Sequence, residues 1–157
     1  MSTPHISSVM EVRPDWIDYN GHMNMAYYNV LFDKAADELY PRIGIGEDYV
    51  KARGLTTYTA EFHVCYVREL HLGDRVRVQS WLLDRDEKRF HTYQEIHHED
   101  GWLAATGEAL GLHIDMSGPK VAPMPGDIAA RFDEFMAKHG RPDRPGRIGR
   151  RVGIARK

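Results

Sequence analysis

From Met25 to Tyr40 the apolar residues Met25, Tyr28, Leu31, Phe32, Ala35 and Leu39 recur at steps of one, three and four. That spacing marks one face of an amphipathic helix. Asn24 is suited to cap its start and Pro41 to end it. Such a helix is about 24 Å long at 1.5 Å per residue, enough to cross a sheet. Most of the later chain alternates instead. Residues 56–67, TTYTAEFHVCYV, are rich in Thr, Tyr, Phe and Val, as strands are. Arg75–Leu83 sets Val76, Val78, Ser80 and Leu82 on one face. Arg89–His97 sets Phe90, Thr92, Gln94 and Ile96 against His91, Tyr93, Glu95 and His97. Trp102–Asp115 reads as a long strand after the turn signal Asp100–Gly101.

The remaining segments are short. HISSVMEVR (5–13) predicts a first strand stopped by Pro14, and Glu47–Arg53 a helical turn before Gly54. Asp127–His139 predicts a closing helix with Phe132, Phe135 and Met136 as its stripe. A long helix that must cover one antiparallel sheet gives an α+β fold of two layers. Its exposed strand edges favour pairing with a second copy.

Composition narrows the class. A chain of 157 residues with 42% hydrophobic residues supports one core, expected over residues 1–140. The net charge of −2 gives no argument for a nucleic acid or an anionic membrane as partner. Residues 141–157 differ: Arg141, Arg144, Arg147, Arg150, Arg151, Arg156 and Lys157 face a single acid, Asp143. This tail carries +6 and leaves −8 for the first 140 residues. Its Pro, Gly and Arg content predicts a solvated extension, with contact to phosphates or to nucleic acid as the other readings. A lone cysteine, Cys65, excludes an intrachain disulfide and fits a reducing cytoplasm. The first residues show no basic stretch followed by an apolar core, so no signal peptide is expected. No apolar run approaches the ~20 residues of a membrane span.

Residues 16–24, WIDYNGHMN, place a carboxylate (Asp18), an imidazole (His22), two amides (Asn20, Asn24) and Gly21 directly before the long helix. A carboxylate there lies near free backbone N–H groups and the positive end of the helix dipole. Those N–H groups can polarise a carbonyl, and the carboxylate can attack it or activate a water that does. Gly21 permits a tight turn, while His22 and Asn24 can fix the loop. The plainer reading of the same residues is turn formation, packing and capping.

The pattern Asp18-Tyr19-Asn20-Gly21-His22-Met23-Asn24 resembles the D-x-x-G-H-x-N signature of hotdog-fold acyl-CoA thioesterases of the hydroxybenzoyl-CoA type. Tyr66-Val67-Arg68-Glu69-Leu70-His71-Leu72-Gly73-Asp74 is similar to the end of that family's second long strand. The resemblance implies a five-stranded antiparallel sheet wrapped around one long central helix, in dimers that join sheets and often pair into tetramers. It implies an acyl-CoA substrate, water as acceptor and no cofactor. Asp18 becomes the catalytic carboxylate, the Met25 backbone N–H the oxyanion donor, and His22 and Asn24 the supports of the loop. Relatives differ in whether the carboxylate attacks directly, and many carry a second Asn where this chain has Met25.

A narrower similarity, through Trp16-Ile17-Asp18-Tyr19-Asn20-Gly21-His22-Met23 and Tyr58-Thr59-Ala60-Glu61-Phe62-His63, is to the betainyl-CoA thioesterases of carnitine degradation. A trimethylammonium group is bound by aromatic faces, commonly with a carboxylate close by. Trp16, Tyr58, Trp81 and Trp102 are candidate walls and Glu61 a candidate counter-charge, with Asn20 and Gly21 in the same substrate-binding set. Regular alternation places Tyr58 and Glu61 on opposite faces, so a bulge or a subunit boundary is needed to bring them together. Ordinary packing is the alternative for each aromatic.

Other assignments compete. A fatty acyl-CoA or acyl-ACP thioesterase needs an apolar tunnel, for which Met25, Leu31 and Phe32 are candidates. A hotdog dehydratase needs a catalytic His with an acid on the helix, whereas His22 precedes the helix and Asp33, Asp37 and Glu38 fall on or near its polar side. A silent acyl-CoA binder keeps the pocket without turnover. No metal site is expected, since His97 and His98 point to opposite faces of a strand. Arg68, Arg85, Lys88 and Arg89, near strand ends, are candidates for the CoA phosphates.

Overall fold

The computed structural model describes residues 2–157. In chain order the elements are β1 (His5–Ile6), β2 (Met10–Glu11), α1 (Met25–Ile43), α2 (Glu47–Arg53), β3 (Leu55–Tyr66), β4 (Arg75–Arg85), β5 (Arg89–His98), β6 (Leu103–Asp115), β7 (Lys120–Val121) and α3 (Gly126–His139). One antiparallel sheet has the order β1-β4-β5-β6-β3, with β2 also on β4 and β7 on β6. This is the expected α+β hotdog architecture, with seven strands in place of five. One of the two extra segments has a local cause. Ser7 gives its N–H to the Val78 carbonyl but takes the Val78 N–H on its hydroxyl. That bond breaks the ladder and splits the predicted first strand into β1 and β2.

The central helix α1 runs past Pro41, which sits in its last turn, and stops where Gly44 turns left-handed at φ 98°. Leu31, Phe32, Ala35 and Leu39 are buried, as the spacing predicts. They pack on the face of the sheet formed by Val76, Val78, Leu82, Phe90 and Ile96. Helix α3 closes the far end with Phe132 and Phe135. His139 ends it by accepting the Leu82 N–H at 2.9 Å. Burial lowers its imidazole to about 4, so it stays neutral in that role.

Regular alternation fails in β3. Thr59 pairs with Gly111 and Glu61 with Leu110, so Ala60 is an extra residue. The bulge turns Tyr58 and Glu61 to the same face, where strict alternation separates them. That face is the outer one. Phe62, on the opposite side, packs edge-on against Phe32 of α1 at 5.6 Å between ring centroids.

The outer face also departs from expectation. Trp81, Tyr93 and Glu95 lie on it and are nevertheless buried. Trp81 packs on Tyr93 and donates its indole N–H to the Ser2 hydroxyl. The basic tail, predicted as a solvated extension, is fastened here. Arg144 donates to the Glu95 carboxylate at 3.0 Å, and the Gly149 N–H donates to Glu108. Beyond Gly149 the tail is exposed. Burial by itself raises the Glu95 carboxyl. Hydrogen bonds from His97 and Tyr93 and the charge of Arg144 outweigh it and hold the group below the usual range.

A depressed folded-state carboxyl contributes stability above its unfolded value, and that contribution fades as pH falls through the folded value. Arg144→Ala is therefore expected to lower Tm at neutral pH, with a deficit that narrows under acid conditions. Thermal melts across pH test this; a deficit independent of pH contradicts the pairing.

Candidate active site

The loop before α1 is a miniature hairpin. Ile17 and Met23 bridge across it, and Gly21, at φ 81°, closes its turn by donating to the Asp18 carbonyl. Trp16 is buried beneath, stacked on Tyr27 at 5.7 Å, with its carbonyl accepting the Asn24 N–H. Met23 is buried and donates its N–H to the Leu70 carbonyl. His22 lies against the Met23 carbonyl and 3.6 Å from Glu69. These contacts tie the loop to the segment after β3 and leave Asp18 partly exposed at the surface.

Asn24 joins the loop to the helix. Its Oδ1 accepts the Ala26 N–H at 3.0 Å, capping α1, while its Nδ2 donates to Asp18 Oδ2 at 2.9 Å. The other carboxylate oxygen accepts the Asn20 N–H at 2.8 Å. The bond from Asn24, followed by that from Asn20, lowers the Asp18 carboxyl below its ordinary value. Asp18 is thus an anion at neutral pH, suited to act as nucleophile or base. The Met25 N–H, at the first helical position, has no acceptor among the described residues. It can therefore donate to a substrate carbonyl. Tyr66 donates its hydroxyl to the Met25 carbonyl at 3.0 Å and steadies that peptide from β3. The sequence offered only a motif-like aromatic at Tyr66, with nothing to indicate this bond.

Three hollows meet at the first turns of α1. A recess of about 220 Å³ is lined by His22, Met25, Tyr28, Tyr66 and Arg68. A groove of about 930 Å³ runs from Met25 and Asn29 across Glu61 and His63 to Arg150 of the tail. A cavity of about 230 Å³ begins at Asn29 and continues between α1 and the sheet, with Phe32, Asp33, Tyr40 and Phe62 in its walls. Its floor is polar, because Gln94 donates to both the Phe32 carbonyl and the Ser80 hydroxyl.

The structure brings together Asp18, Asn20, Gly21, His22, Asn24 and Met25, and it sorts the remaining candidates. Trp16 is scaffold beneath the loop. Trp81 is packed on the outer face, so it lines none of these hollows. Trp102 stacks on His98 and carries the Arg68 guanidinium at 4.1 Å, near the loop but outside the cavity. Tyr58 and Glu61 share the outer face, away from the cavity under α1. Arg68 reaches the recess beside Met25. Arg85, Lys88 and Arg89 sit where β4 turns into β5, level with the start of β3, whereas Tyr66 and the loop lie at its end. Arg85 is also paired with Asp133 and Arg89 with Asp86. Within one chain these three do not reach the Asp18 loop. Among the described residues no His, Cys, Asp and Glu cluster could hold a metal.

Asn24→Ser keeps an oxygen for the Ala26 N–H but is too short to serve Asp18 as well. The acidic limb of the activity profile is then expected to move to higher pH, toward the ordinary carboxylate range, in an enzyme that remains folded. A pH–kcat/KM profile with an unmoved limb contradicts the assigned clamp.

The family described as the thioesterase-like superfamily matches residues 12–132. The betainyl-CoA thioesterase of Pseudomonas aeruginosa is 34% identical over 144 residues, covering 91% of each chain. The L-carnitine dehydrogenase/betainyl-CoA thioesterase of Rhizobium meliloti is 37% identical over 147 residues, 93% of this chain but only 29% of that longer protein. A Staphylococcus aureus protein solved in complex with CoA superimposes with a TM-score of 0.90 at 25% identity, covering 99% of this chain and 98% of the other. A Pseudomonas putida protein described as a thioesterase gives 0.83 at 30% identity, covering 99% and 100%. No helix among the described residues is long and apolar enough to cross a membrane. By its fold, its Asp18 loop and these relatives, the chain belongs to the thioesterase-like superfamily of hotdog-fold thioester hydrolases.

Proposed function

We propose that the chain hydrolyses betainyl-CoA to glycine betaine and CoA, using Asp18 and the N-terminus of α1. The observation that carries this reading is an ionised Asp18 clamped through Asn24 beside the free Met25 N–H, one helical turn before a small cavity that begins at Asn29. A thioester carbonyl that accepts the Met25 N–H is polarised where its oxygen gains charge, an effect worth roughly 10²–10³ in rate. Asp18 then attacks the carbonyl carbon or takes a proton from the water that does. The C–S bond breaks, and the CoA thiolate leaves and is protonated; on the water route the hydroxyl of water ends in the released acid, and on the direct route water hydrolyses the mixed anhydride formed on Asp18, freeing the acid and the carboxylate. Water is the only co-reactant.

The acyl group follows from the named activities of the Pseudomonas and Rhizobium relatives and from the size of the cavity. At about 230 Å³ it falls below the ~300–1,000 Å³ of sites for drug-sized ligands and suits a short acyl group better than a long chain. Arg68, beside Met25 in the recess, is the favoured contact for a CoA phosphate. The outer edge of β3 has no strand partner in the sheet, and a second copy pairing there extends the hollows with its own residues. Sedimentation should show at least a dimer; a fully active monomer contradicts that arrangement.

Asp18→Asn is nearly isosteric and should fold normally while losing hydrolysis by on the order of 10²–10⁴. Thiol release from betainyl-, acetyl-, octanoyl-, palmitoyl- and hydroxybenzoyl-CoA gives the acyl preference. The highest kcat/KM is expected for betainyl-CoA. A preference for palmitoyl-CoA reverses the acyl assignment, and an Asp18→Asn enzyme of normal rate removes Asp18 from the chemistry.

A further inference from the structure

We propose that residues 150–157 form a strap that crosses to a second copy of this chain and docks on the outer face of its sheet, over Tyr58, Leu110 and Leu112. The strap rests on the pairing of two copies along the free edge of β3. The tail crosses the outer face one strand at a time. His139, where the chain leaves α3, is held at Leu82 of β4, Arg144 at Glu95 of β5 and Gly149 at Glu108 of β6. Arg150 and Val152 then border the groove beside Glu61 and His63 of β3. These strands follow one another in the sheet as β4-β5-β6-β3, so the tail travels toward the free edge. At Gly149 it is one strand short of that edge. The eight residues that follow span about 26 Å when extended at ~3.3 Å each, against ~4.8 Å between neighbouring strands. A sheet continued by a second copy lies within that reach.

The strap and the face it meets are complementary. Val152 and Ile154 are 91% and 79% exposed in the single chain. Around them stand Arg150, Arg151, Arg156 and Lys157, with no acid. Such a segment suits a surface that is apolar and negative. The tail leaves its own sheet at the level of Glu108, which pairs with His63. An antiparallel pairing about the middle of Leu55–Tyr66 sets His63 level with Tyr58 of the second copy. There Tyr58 is exposed, Leu112 lies opposite it and Leu110 lies opposite Glu61. The bulge at Ala60 turns Glu61 to the same face, which supplies the patch with its carboxylate. The second copy's own tail crosses β3 at His63, five residues from Tyr58 and about 17 Å away at ~3.3 Å per residue. The two straps therefore lie side by side without collision. Twofold symmetry makes each copy give one strap and receive one.

Two full-length chains test the strap, both in a Cys65→Ser background, one with Ile154→Cys and the other with Tyr58→Cys. They are mixed, allowed to exchange subunits and oxidised gently, with thermal melts to confirm folding. Mass spectrometry should find a disulfide joining position 154 of one chain to position 58 of the other. In a separate chain, Val152→Ser with Ile154→Ser should raise the dimer dissociation constant by about tenfold or more, read by sedimentation. A dimer that forms no such disulfide, or an unchanged dissociation constant, overturns the strap and leaves the β3 pairing standing. A native chain that sediments as a monomer overturns both.

Discussion

The side-chain amide of Asn24 is the joint on which the site depends. One of its ends accepts the Ala26 N–H and the other donates to Asp18. A serine or aspartate can cap a helix as well as asparagine, a contribution of about 1 kcal/mol. Neither can also give an N–H to a carboxylate, because a carboxylate is acceptor-only and a serine hydroxyl is too short. The same residue therefore fixes where the helix begins and where the anion stands relative to its free N–H. The Asp18 carboxylate is lowered by this bond first and by the Asn20 N–H second. Its charge and its position have one cause.

The rest of the fold holds that joint still. Met23 is buried and bonded to Leu70, Trp16 packs on Tyr27, and Tyr66 reaches from the edge strand to the Met25 carbonyl. Below the joint, α1 and the sheet do not close completely. Ala36 and the short side chains of Ser80, Ala109 and Thr92 leave a cavity, where larger residues would have completed the core. The polar floor survives because Gln94 satisfies its neighbours within it. On the opposite face, Tyr93 and Glu95 are shielded by the chain termini, and the basic tail supplies the cation that a buried carboxylate requires.

Local pattern was sufficient for much of this. The periodicity of Leu31, Ala35 and Leu39, the alternation of Val76 to Leu82 and of Phe90 to Ile96, and the polar cluster before Met25 each state a physical requirement of their own segment. A buried helix face must be apolar, and a strand with two environments must alternate. A helix with an exposed N-terminus needs a cap. Those requirements act over a few residues, so they can be read in order along the chain, and with the motif they identify the α+β hotdog architecture and the loop that carries Asp18.

What the sequence could not reveal depends on residues far apart in it. The bulge at Ala60 exists because β6 pairs with β3 out of step by one residue, and it alone moved Glu61 and Tyr58 onto one face. Trp81 had the composition of a pocket wall, but the strand order placed it under Ser2 and beside Tyr93. The tail had the composition of a solvated chain, and Glu95, forty-nine positions earlier than Arg144, fastened it. The cavity under α1 combines that helix with β3, β4, β5 and β6, so no one segment carries its signature. Sequence by itself determined the helix, the strands and the polar loop that carries Asp18, whose causes are local. Tertiary structure decided which side chains line the hollows beside α1, because that depends on register and on contacts between distant segments.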